Sequence, residues 1–152
     1  MAHQLHTKPR GARIARERHG EVQDFLNRLV DSLTRGDGAN NATRWGVPAL
    51  VVGADRVIAV TALAEVAAFY GHAKSEYNAR GIQDTRADIV DEEWIGDRLV
   101  IVKVRWPWID DRGHEIGAEA SDYTLRRDDD GTLKIRAVLM RGIEGTGEDL
   151  PS

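Results

Sequence analysis

A chain of 152 residues with 41% hydrophobic and 30% charged residues is one domain's worth, long enough to bury a single core. Zero cysteines exclude disulfides, thiolate metal ligands and cysteine nucleophiles. The longest apolar run, the five residues from Val66 to Tyr70, is too short to span a bilayer. No apolar stretch near the start can serve as a secretory signal, so the expected compartment is the cytoplasm. The net charge of −4 is spread unevenly. Residues 1–19 hold Lys8, Arg10, Arg13, Arg16 and Arg18 against Glu17 alone, and the remainder is acidic. A basic arm can tether nucleic acid, but an acidic body repels the same phosphates, so no nucleic-acid partner is expected. The arm reads as a flexible, solvated terminus ahead of one domain over residues 20–142.

In chain order, the first signal is a helix. Val22, Phe25, Leu26, Leu29, Val30 and Leu33 form one apolar stripe at helical spacing, ended by Arg35 and Gly36-Asp37-Gly38. Asn40-Asn41 continues a loop toward Trp45. Residues 48–52 and 56–60, around Gly53-Ala54-Asp55, predict a short hairpin. Thr61 is placed to cap a second helix with the stripe Leu63, Val66, Ala67, Tyr70 and Tyr77, stopping at Arg80-Gly81. Four further runs, 84–95, 98–109, 114–127 and 132–141, are separated by Gly-Asp or Asp-rich turns and predict an antiparallel meander. Residues 143–152 read as a flexible tail.

Helix, hairpin, helix and long meander at this length resemble the nuclear transport factor two-like superfamily, the cone fold of ketosteroid isomerase, scytalone dehydratase and polyketide cyclases. The resemblance rests on that order of elements. It also rests on Leu33-Thr34-Arg35-Gly36-Asp37 after the first helix, and on 121–127 leading into Asp130-Gly131-Thr132-Leu133-Lys134-Ile135. It covers about residues 15–142 and implies an α+β cone, a curved sheet wrapped around two helices, with a pocket inside. The superfamily often has a tryptophan where this chain has Leu133.

Strand alternation gives the inward set. On the 98–109 strand the even positions Val100, Val102, Val104, Trp106 and Trp108 are apolar and face in. A two-residue turn at Gly96-Asp97 then turns Ala87, Ile89, Asp91, Glu93 and Ile95 inward. Pairing Ile109 with His114 brings Glu119, Ser121, Tyr123 and Leu125 inward, with Glu119 opposite Val104. Leu133, Ile135, Ala137 and Leu139 complete the face. Asp91, Glu119 and Ser121 are therefore the candidate catalytic residues, because a desolvated carboxyl has a raised pKa suited to acid–base work near neutrality. Trp45, Tyr70, Val104, Trp106 and Tyr123 are the candidate pocket walls, while Tyr77 and Trp108 read as core.

No spacing of His, Asp and Glu suggests a metal site, and no glycine pattern suggests a bound phosphate, so no metal or cofactor is expected. His72 with Glu76 reads as surface pairing. No chemistry of the resembled enzymes transfers residue for residue: the first helix has no tyrosine, and Trp45-Gly46-Val47 precedes Pro48 where ketosteroid isomerases place an aspartate. Two functions stay open. One is a cofactor-free lyase, isomerase or cyclase acting on a small apolar or aromatic molecule. The other is a non-catalytic ligand-binding or dimerisation module. An outward Val138 and Met140 would suit a homodimer through the sheet. The loop from Gly38 to Trp45 would be the lid over the cavity.

Overall fold

The computed structural model describes residues 2–144, with side chains from Arg10 onward. Its elements are α1 (Ala2–Thr34), α2 (Gly38–Ala42), β1 (Trp45–Val52), β2 (Val57–Val60), α3 (Leu63–Ala79), β3 (Asp88–Ile95), β4 (Leu99–Ile109), β5 (Glu115–Arg127) and β6 (Leu133–Ile143). Among the described residues no helix is long and apolar enough to cross a membrane. The predicted tail lies outside the described residues beyond Glu144. The basic segment read as an arm continues α1 as helix from Ala2.

The predicted stripe packs α1 against the sheet: Val22, Phe25, Leu26 and Leu29 are buried in the core. Contacts from residues 18–23 of α1 hold it there. Glu21 takes both terminal nitrogens of Arg127 at 2.8 Å, and His19 Nδ1 lies 3.0 Å from Glu92 Oε1. Arg18 stacks 4.7 Å from the Trp94 ring, and Gln23 donates to the Ala87 carbonyl. Gly36 ends the helix at φ 70, a left-handed conformation that costs glycine little.

The residues expected to form a mobile loop are instead α2. Asp37 Oδ1 accepts the Asn40 N–H at 3.0 Å, the usual way an aspartate starts a helix. Gly38 is buried so closely against α3 that a Cβ there would lie 2.1 Å from the Ala67 carbonyl oxygen. Nothing so tightly packed can serve as the lid. Thr61 does not cap α3; the N-cap is Ala62, and the Thr61 hydroxyl donates to Glu65.

One six-stranded sheet runs in the order β2-β1-β6-β5-β4-β3. The meander and the β1–β2 hairpin are antiparallel as predicted, and the hairpin joins the sheet by pairing β1 parallel to β6. Val100, Val102 and Val104 on β4 and Leu125 and Ile135 beside them are wholly buried beneath the helices.

Three register details differ from the alternation argument. Glu119 pairs with Trp106, and Ser121 with Val104, two residues along from the expected partners. The slide comes from a longer turn, closed by Asp110 N–H on the His114 carbonyl, and from an extra residue, Ile116, before Gly117. A two-residue slide keeps the face, so Glu119, Ser121, Tyr123 and Leu125 all stay inward and buried. In β3 a bulge at Val90 inserts one residue, and this reverses the outcome for Asp91, Glu93 and Ile95. They are exposed, while Glu92 and Trp94 pair with Val102 and Val100. In β6 a bulge at Arg136 does the same. Val138 and Met140 turn into the cone and Leu139 turns out, the reverse of the expected facing. Arg136 sits in a close approach of β1, donating to the Pro48 carbonyl and pairing with Asp128.

Candidate functional site

Between the helices and the concave face lies a cavity of about 320 Å³. Leu29, Val30 and Leu33 of α1 form one wall, and Val66, Phe69, Tyr70 and Tyr77 of α3 form another. Val51, Ile58 and Val60 of the hairpin close a side, with Val138 and Met140 beside Trp106 and Tyr123 on the sheet. Glu65, Phe69 and Ile58 are exposed lining residues and Arg56 is half-buried, so the opening lies between the hairpin and the start of α3. The bulge at Arg136 built part of this lining. Without it, Val138 and Met140 would face away.

Glu119 is set into this apolar wall. It is 8% exposed, and it accepts from Tyr77, whose hydroxyl lies 3.4 Å from each carboxylate oxygen. Burial pushes its pKa up to about 7 against three weaker influences that favour the charged form: the Trp108 indole, the Tyr77 hydroxyl and the charge of Arg80. Trp108 Nε1 is buried and completes no hydrogen bond of sound geometry, so its influence is that of a nearby dipole. Arg80 stacks over the Trp108 ring at 4.9 Å and lies 5.9 Å from the Tyr77 ring, so its charge is held by the aromatics that flank the carboxyl.

Burial also raises the phenols of Tyr70, Tyr77 and Tyr123, with the nearby Glu119 charge adding to the effect, so all three stay protonated at neutral pH. Tyr70 keeps part of its ring at the surface although its hydroxyl is enclosed. Ser121 is 3% exposed and sits on the same strand face as Glu119 and Tyr123. The arrangement puts one carboxyl balanced between its two protonation states among hydroxyl groups that can donate. Such a group can take a proton from a weak carbon or oxygen acid and return it.

The expected site residues therefore divide. Glu119, Ser121, Trp45, Tyr70, Trp106 and Tyr123 all line the cavity. Asp91 does not: the Val90 bulge turns it to solvent, far from any acid–base role inside. Val104 is wholly buried beneath the helices and does not line the cavity either. Tyr77, read as core, is the hydroxyl on Glu119; its place seven residues after Tyr70 on one helical stripe was the available signal. Asn41 was missed. It is 1% exposed, and it accepts the Trp45 indole N–H at 3.1 Å. Glu119 also borders a second hollow of about 40 Å³, toward Trp108, Thr85 and Asp84. Among the described residues no three His, Asp or Glu side chains converge as metal ligands.

Solved structures share this architecture at low sequence identity. An NTF2-like protein with a cystatin-like fold from Novosphingobium aromaticivorans matches with a TM-score of 0.66 at 14% identity, covering 92% of this chain and 91% of the other. Aln2 from a Streptomyces species matches at 0.64 and 19% identity, over 82% and 89% of the two chains. A ketosteroid isomerase-like protein from Erwinia carotovora atroseptica matches at 0.57 and 13% identity, over 79% and 92%. At such identities these likenesses speak for the fold alone. No curated protein matches the sequence. The family profile described as NTF2-like protein (DUF6841) matches residues 18–142, from the buried part of α1 through nearly all of β6, and the chain belongs to that NTF2-like family.

Proposed function

We propose that the protein is a cofactor-free enzyme of the lyase, isomerase or cyclase type, moving a proton on a small apolar or aromatic molecule held in the cavity. One observation carries the reading: a carboxyl raised to about 7, Glu119, forms part of the wall of an apolar cavity that opens to solvent. A buried carboxyl is costly, and cores seldom keep one without a charged partner. The Tyr77 contacts are long at 3.4 Å, so the carboxylate keeps lone pairs free for a substrate proton. Tyr70, Tyr123 and Ser121 supply donors for charge that develops on an oxygen. Trp45 and Trp106 supply flat walls.

A carbon-13 titration of the Glu119 carboxyl tests this. A midpoint near 7 supports the reading, and a midpoint in the ordinary carboxylate range removes it. The alternative is a non-catalytic ligand-binding or dimerisation module; the form of it with an interior filled by its own side chains has less support, because the interior is hollow.

A homodimer through the outer face of the sheet belongs to the same proposal, on different residues from those first expected. Leu50, Leu139 and Ile101 are 42%, 42% and 37% exposed on β1, β6 and β4; Ala137 and Thr124 pair between Leu50 and Ile101, and Leu139 lies in the next row beside Asp122. An apolar row across a sheet's back is surface that association would cover.

A further inference from the structure

We propose that Asn41 selects the ligand: its side-chain amide donates a hydrogen bond to an acceptor oxygen on the molecule that the cavity takes. This rests on the reading of the cavity as a ligand site and adds which atom that ligand must carry. Trp45 Nε1 donates to Asn41 Oδ1 at 3.1 Å. An indole N–H only donates, so this bond fixes which end of the amide is oxygen and which is nitrogen. The nitrogen left over, Nδ2, is buried with no hydrogen-bond partner, while the residue forms part of the cavity wall. An unmet buried donor is costly, and native structures leave few of them.

Fixed polarity is what makes this group selective. The hydroxyls of Ser121, Tyr70 and Tyr123 can rotate to donate or accept, and Glu119 changes role with its proton. With its oxygen held by the Trp45 indole, this amide has its N–H group left as the unpaired end. It rewards a carbonyl or other acceptor and gives nothing to a hydroxyl hydrogen or an ammonium. Nor can it turn away easily, since Gly38 packs α2 against the backbone of α3 and Ala42 is buried beside it.

The test uses a matched pair of probes, 1-tetralone and tetralin, which share a shape and differ by one carbonyl oxygen. Binding to the full chain is followed by protein NMR. The expected result is that tetralone binds roughly tenfold more tightly, the size of one good hydrogen bond. Asn41→Leu should erase that preference, while Leu139→Ala, on the outer face of the sheet and away from the cavity, keeps it. Because Asn41 also holds Trp45, the leucine variant can fail to fold. The wild-type side-chain amide protons of Asn41 then serve, and they should shift with tetralone and stay still with tetralin. Equal binding of the two probes, a preference that survives Asn41→Leu, or unmoved amide protons would each overturn the inference. Those results leave the Glu119 reading standing, since that depends on its own titration. Failure of both probes to bind at millimolar concentration overturns the ligand site itself.

Discussion

The Tyr77 hydroxyl lies 3.4 Å from both oxygens of Glu119, joining the last turns of α3 to the middle of β5. A donor placed evenly between two oxygens favours the charged carboxylate and partly offsets the desolvation that raises its pKa. Tyr77→Phe removes that donor while keeping the ring. The Glu119 midpoint should then move upward from about 7 in the same carbon-13 titration. A downward shift would show that the phenol was not favouring the charged form.

Stability should depend on pH through the same group. Glu119 ionises near its ordinary value of 4.5 when unfolded and near 7 when folded, so the folded state prefers the protonated form. Below pH 4.5 the group carries no ionisation penalty. As pH rises from 4.5 through 7 the native state loses stability relative to the unfolded chain, by about 3 kcal/mol from this site. Urea melts of wild type and Glu119→Gln across pH 5 to 8 should converge at the acid end and separate at the basic end, with the variant's pH slope shallower.

Trp106 is 5% exposed and forms part of the cavity surface next to Tyr123, their rings 5.9 Å apart. Trp106→Ala should cost about 3–5 kcal/mol of stability and also weaken binding of an aromatic probe. Thermal melts give the first quantity and a probe titration the second. Loss of stability with unchanged affinity would place the ring in the core rather than at the ligand.

Gly38 leaves no room for a methyl group, with the Ala67 carbonyl oxygen 2.1 Å and the Gly71 nitrogen 2.8 Å from where a Cβ would be. Gly38→Ala must push α2 off α3, with a loss of about 2–4 kcal/mol in denaturant melts. Gly71→Ala, which meets nothing within 4 Å, should instead add up to about 1 kcal/mol of helix stability.

If two copies associate through the outer sheet face, Leu139→Lys and Ile101→Lys should abolish the dimer at micromolar concentration. Both side chains are already 37–42% exposed, so the monomer's fold should lose less than about 1 kcal/mol. Multi-angle light scattering reads the mass directly. A wild-type monomer would end the dimer proposal.

What the sequence could show followed from parity. The even positions of β4 are apolar throughout, and they fixed the inner face from Val100 to Trp108. The error in pairing Glu119 was harmless because the slide was two residues, which returns each side chain to its own face. Single-residue bulges at Val90 and Arg136 were not legible. Nothing in the composition around either residue differs from an ordinary strand, and each bulge is set by pairing with a distant neighbour. That is why Asp91 was placed inside and Met140 outside. The parallel contact of β1 with β6 joins segments some ninety residues apart and leaves no local pattern. Asn41 was hidden by the company of Asn40 and two glycine neighbours, which read as a loop until Asp37 is seen to start a helix.

The 33 residues of α1 make a rod about 50 Å long at about 1.5 Å per residue, while a compact chain of this size has a radius of gyration of only about 15 Å. Residues Arg10 to Glu17 of that rod are exposed along their whole length. A particle of this outline drags more solvent than a sphere of equal mass and tumbles faster about the rod than across it. A monomer will therefore leave a gel-filtration column ahead of globular standards of its mass, and rotational correlation times will look too long for one chain. Elution volume alone overstates the mass of this chain.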